Sequence, residues 1–116
     1  PNSINSLFNL GNILNRLGKV KDAELNIRKV IDLNPNYKEA YFLFGRILQD
    51  QGELDEALPN IHKAIELDPN FVEAYCILVK ILRDLGKIEQ SRFYSEKIIS
   101  LRPWSIFGSN NLNYLV

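Results

Sequence analysis

The sequence predicts an all-α solenoid built from paired helices. Three observations carry that prediction. First, the chain repeats itself every 34 residues: "LNPNYKEAY" at 33–41 returns as "LDPNFVEAY" at 67–75, and prolines fall at 1, 35, 69 and 103. A period of this length marks stacked supersecondary units that cannot bury their apolar faces alone. Second, glycines fall at 18, 52 and 86 with the same period. Third, apolar residues follow the 3.6-residue spacing in both halves of a period, as in Leu7, Leu10 and Leu14, then Ile27, Val30 and Ile31. Each period therefore reads as two helices, in units of about 2–34, 36–68 and 70–102.

The first helix of a unit starts after its proline. Asn36 with Glu39, and Asn70 with Glu73, stand at N-x-x-E spacing. That predicts capping boxes, in which the Asn cap is worth about 1 kcal/mol. The helix should end at Gly18, Gly52 or Gly86, because glycine accepts the left-handed exit conformation. The second helix carries Asp22 and Glu24, or Asp55 and Glu56, in its expected first turn, where the helix dipole favours negative charge. Pro59 is expected near the start of such a helix, where a missing amide is tolerated. The second helix ends before Pro35, Pro69 or Pro103, because the residue before proline is pushed out of the helical region. Gly11 and Gly45 lie within first helices, and Ala23 and Ala57 within second helices. A mid-helix glycine costs about 1 kcal/mol against alanine, so close approach of the paired helix should offset it.

The third unit departs from this pattern. Val79 replaces the glycine, Ser91 the alanine and Ser95 the large apolar residue. The pair is expected to pack at a different angle or spacing. After Pro103 the repeat is rewritten: Trp104, Phe107 and Ser109 take the slots of Asn, Glu and Tyr. Leu112, Leu115 and Val116 keep the core slots, so a terminal helix is expected over about 104–116. Pro1 and Asn2 fall in the slots of Pro35 and Asn36, which reads as a fragment of a longer repeat array.

Composition argues against several functions. Fourteen basic residues balance fourteen acidic ones, with none of the basic excess of a nucleic-acid or membrane-surface binder. One cysteine, Cys76, allows no internal disulfide. No apolar run approaches the roughly 20 residues of a membrane helix. His62 is the sole histidine, and neither C-x-x-C nor H-x-x-x-H spacing occurs. No phosphate-binding glycine loop is present, since every glycine but Gly108 has a place in the repeat. Neither a catalytic residue, a metal site nor a cofactor is expected.

The pattern Leu7/Leu10/Gly11/Leu14, Ala23, Ile27, Val30, Pro35 resembles the tetratricopeptide repeat, as does Tyr41/Phe44/Gly45/Leu48, Ala57, Ile61, Ala64, Pro69. The resemblance covers nearly the whole chain. It implies a right-handed α-α superhelix of three helix pairs plus the terminal helix, with first helices lining a concave groove that binds peptides or protein segments. The residues it places on the groove are Asn5, Phe8, Asn9, Asn12 and Arg16 in unit one, Phe42, Leu43 and Arg46 in unit two, and Ile77, Lys80 and Arg83 in unit three.

Each group has two readings. The four amides Asn5, Asn9, Asn12 and Asn15 share a helix face. They suit a peptide backbone, which needs both donors and acceptors, or they are plain solvated residues. The apolar stripe of Phe8, Phe42, Leu43, Cys76 and Ile77 is a ligand surface or inter-helix packing. The basic stripe is a docking feature or a solvated face.

Chaperone-binding members of the family hold a terminal carboxylate with Lys, Asn, Asn, Lys and Arg. The matching slots here are Phe8, Asn12, Leu43, Glu73 and Ile77, so the carboxylate clamp is rejected. "NLGN" at 9–12 also resembles the repeat arm of O-linked N-acetylglucosamine transferases, but Leu43 and Ile77 interrupt the Asn ladder. The expected function is thus a noncatalytic interaction scaffold for a protein or peptide partner. The alternative is the substrate-recognition arm of a larger transferase. Self-association through exposed ends of the solenoid, at Ile4, Leu7 and Leu10, is a further expectation. Nucleic acid and membrane are not expected partners, and the cytoplasm is the expected compartment.

Overall fold

The computed structural model describes residues 3–101. Among the described residues the chain forms six helices: α1 Ile4–Arg16, α2 Val20–Leu33, α3 Lys38–Asp50, α4 Leu54–Leu67, α5 Val72–Asp84 and α6 Ile88–Leu101. They belong to two compact bodies, Pro1–Pro69 and Asn70–Val116. The expected terminal helix over about 104–116 lies outside the described residues.

The first body holds α1 to α4 as two antiparallel pairs, with α2 also packed on α3. Helix α1 is capped by Ser3, whose hydroxyl accepts from the Ser6 amide at 3.1 Å. At its far end Gly18 takes φ 83°, and the Lys19 N–H reaches back to the Leu14 carbonyl at 2.8 Å. That six-residue closure satisfies a carbonyl the helix cannot. Gly52 and Gly86 repeat it.

The expected capping boxes do not form. Helices α3 and α5 begin one residue later than a box requires, with Tyr37 and Phe71 at the cap position and no side-chain cap bond. In the first body the turn is made by Asn34, whose Oδ1 accepts from the Asn36 amide at 3.1 Å. An Asn bonding its own backbone two residues on is a turn device that competes with a cap. Glu24 likewise falls outside the first turn of α2, where Asp22 stands alone. Pro59 is the sixth residue of α4, in its second turn rather than its first.

The seams explain the small residues. A Cβ on Gly45 would stand 2.5 Å from Ile61 Cδ1 and 2.8 Å from its Cγ1; on Gly11 it would stand 3.2 Å from Ile27 Cγ1. Ala23, Ile27, Ala57, Ile61 and Ala64 are completely buried. Phe44 and Ile47 of α3 are covered, whereas Leu10 and Ile13, their period mates on α1, are 45% and 46% exposed. The start of α3 is tied to the residue after α4 by an ion pair between Lys38 and Asp68.

The second body is the pair α5–α6. In the first two pairs the glycine sits on the leading helix and faces an isoleucine on the trailing one. By register the third pair inverts this, with Val79 leading and Ser95 trailing. Val79 is buried, and the Ser91 hydroxyl donates across the pair to the Val79 carbonyl at 3.4 Å. Tyr75 and Tyr94 add a ring contact at 5.9 Å between centroids.

Candidate functional site

The expected groove residues of the first body come from α1 and α3, which lie side by side. Their junction is built by Tyr37, at the entry to α3. Its hydroxyl donates to Asn5 Oδ1 at 2.9 Å, and its ring meets Phe8 edge-to-face, with centroids 5.4 Å apart at 74°. Edge-to-face pairs of this kind add to the area they bury. Burial pushes the Tyr37 phenol above its ordinary value of 10.0, with the Glu39 carboxylate adding to the shift. Both effects keep it neutral, as a hydrogen-bond donor.

Asn5 and Phe8 are therefore engaged in holding α1 against α3. Asn9, Arg16 and Arg46 are exposed, and Asn12 and Phe42 are half-buried. The Arg46 guanidinium lies over the Phe42 ring, 5.9 Å from its centroid. Among the described residues neither Arg16 nor Arg46 enters an ion pair. Leu43 departs from its expected place. It is 3% exposed and belongs to the core, so its side chain is withdrawn from the groove surface. Its packing slot and the groove slot fall on neighbouring sides of one helix turn, and the sequence pattern does not separate them.

In the second body Ile77 is half-buried, and Lys80 and Arg83 are exposed, all three on α5. Cys76 beside them is an exposed free thiol. Sequence reasoning missed Tyr37 as the joint of α1 and α3. The available signal was the aromatic pair Tyr37 and Phe71 at the repeat period.

Profiles of the tetratricopeptide repeat match residues 38–71 and, in a second profile, residues 4–37 and 72–103. The chain belongs to the tetratricopeptide repeat family. Its fold is that of solved TPR structures. A structure of MamA protein matches with TM-score 0.80 at 24% identity, over 87% of this chain and 55% of that one. A second MamA structure matches with TM-score 0.84 at 23% identity, over 90% and 61%. YrrB, described as a TPR protein with an unusual peptide-binding site, matches with TM-score 0.78 at 28% identity, over 89% and 53%. This TPR chain thus spans little more than half the length of these structures. No curated protein matches it by sequence. Among the described residues no helix is long and apolar enough to cross a membrane, and no cluster of His, Cys, Asp and Glu is placed to hold a metal.

Proposed function

We propose that this TPR chain is a noncatalytic interaction scaffold, and that the α1–α3 face of its first body takes an extended peptide or partner segment. One observation carries the reading. Tyr37 ties α1 to α3 through Asn5 and Phe8, which supports reading Asn9, Asn12 and Arg16 of α1 with Phe42 and Arg46 of α3 as one binding face. Side-chain amides both donate and accept, which matches an extended backbone whatever its sequence. The two arginines add charge-assisted contacts for acidic or carbonyl-rich segments. The description of YrrB as peptide-binding supports the class of ligand.

Asn9→Ala with Asn12→Ala tests the face. Partner capture should weaken while the melting temperature stays nearly unchanged. Undiminished capture would move the site elsewhere. Self-association accompanies this reading, because Leu10, Ile13 and Leu17 leave an apolar stripe exposed along α1. Mass measurement across a concentration series addresses it, and a strict monomer at high concentration rules it out.

A further inference from the structure

The first body has a second cleft, on the side of its trailing helices. Helices α2 and α4 flank it, with no Cα pair between them within 8 Å. Helix α3 supplies the floor through Tyr41, Phe44 and Leu48. Two adjoining cavities of about 320 and 360 Å³ make up the cleft, joined at Arg28, Phe44 and Asn60.

The floor is aromatic and the walls are rich in acceptors. Asp32 stands on α2, and Asp55 and Glu56 on the first turn of α4. None of the three enters an ion pair among the described residues. Pro59 lines the same wall and has no N–H for the Asp55 carbonyl four residues before it, so α4 lacks one backbone bond there. The period mates of Pro59 are Leu25 and Phe93, so neither other trailing helix shares the feature. Asn60 spends its side-chain amide on the Glu56 carbonyl at 3.1 Å. The one cation of the lining, Arg28, has its guanidinium carbon over the Phe44 ring, 4.9 Å from the centroid. The lining therefore sets three carboxylates against one guanidinium.

An apolar floor by itself accepts many side chains, and the rim selects among them. Surplus negative charge with open acceptors fits a donor-rich cation. The aromatic floor fits the alkyl stem of such a side chain and the flat face of a guanidinium. We propose that this cleft docks an Arg- or Lys-bearing segment of a partner protein, with basic side chains seated beside Asp32 in one cavity and beside Asp55 and Glu56 in the other. The site is separate from the α1–α3 face and stands or falls independently of it.

The test uses a short fluorescein-labelled peptide of alternating Arg and Leu, and its counterpart with neutral citrulline for every Arg. Anisotropy titration of the 116-residue chain should show the Arg peptide binding at least about tenfold more tightly than the citrulline peptide. Asp32→Asn, and separately Asp55→Asn with Glu56→Gln, should each weaken the Arg peptide several-fold. Asn9→Ala with Asn12→Ala should leave it unchanged. Asp55 and Glu56 also favour the start of α4, so the Asp32 variant, at the other end of a different helix, guards against a loss caused by unfolding. Amide shift changes should gather around Asp32, Asp55 and Asn60. Equal affinity for the two peptides, no binding, no loss in either acid variant, or shift changes confined to α1 and α3 would each overturn the proposal.

Discussion

Tyr37 joins two helices with one side chain, through a hydroxyl bond to Asn5 and a ring contact to Phe8. Tyr37→Phe keeps the ring and loses the bond, so unfolding stability at neutral pH should fall by about 0.5–1.5 kcal/mol. The raised phenol value fixes the pH dependence. The neutral form is favoured in the fold, so its stabilisation is complete below the ordinary tyrosine range near 10.0 and is lost as pH rises through the folded value. Denaturant midpoints of parent and variant should therefore converge above that range, and a constant gap would argue against the assignment. Gly45 gives a second residue-scale test. Alanine there recovers about 1 kcal/mol of helix propensity but drives a methyl into the buried Ile61 side chain. Gly45→Ala should be clearly destabilising and Gly11→Ala nearly neutral, since its nearest neighbour is 3.2 Å away. Combining Gly45→Ala with Ile61→Val removes the atom at 2.5 Å but keeps the γ carbon at 2.8 Å, and should restore only part of the loss.

The helix starts separate what the sequence reveals at the scale of an element from what it conceals. Ser3→Ala should cost about 1 kcal/mol, because Ser3 is a working cap of α1. Asn34→Ala should cost more than Asn36→Ala, because Asn34 makes the turn through its side chain. Thermal melts of the three variants check the order. The period, the glycine exits and the proline stops were legible because backbone geometry permits few residues at such positions. Gly18 at φ 83° and α2 ending at Leu33, before Pro35, follow directly. The capping boxes were misread because N-x-x-E spacing cannot show whether an Asn bonds forward into a helix or the turn is closed by the Asn two places earlier. Leu43 was misplaced for a related reason, since one helix turn puts core and groove slots side by side. The outer cleft was illegible because its walls come from α2 and α4, two helices far apart in the repeat. The third pair adds a further element-scale prediction. Val79→Gly and Ser95→Ile should each destabilise, one by a void and the other by crowding. Together they should show coupling of about 0.5–3 kcal/mol in a double-mutant cycle, and strict additivity would refute the inverted seam.

At the scale of the whole molecule, fourteen positive and fourteen negative side chains leave little net self-repulsion. The melting temperature should then change little between low and high salt. Binding of the Arg peptide should weaken steeply over the same range, because it depends on charges at a surface. Thermal shift and anisotropy in one salt series would show the two behaviours apart, and a melting temperature that followed the binding curve would contradict both. The two proposals together give one body separate places for two partners of different chemistry. The inverted seam bears on how such chains diversify. Gly45 with Ile61 fills the space between its helices from one side, and by register the buried Val79 with Ser95 fills it from the other. A leading helix from one pair joined to a trailing helix from the other brings two bulky or two slight residues face to face. The unit that can be shuffled between arrays is then the whole hairpin, and recombination breakpoints that survive should fall in the proline-bearing loops, leaving the glycine turns intact.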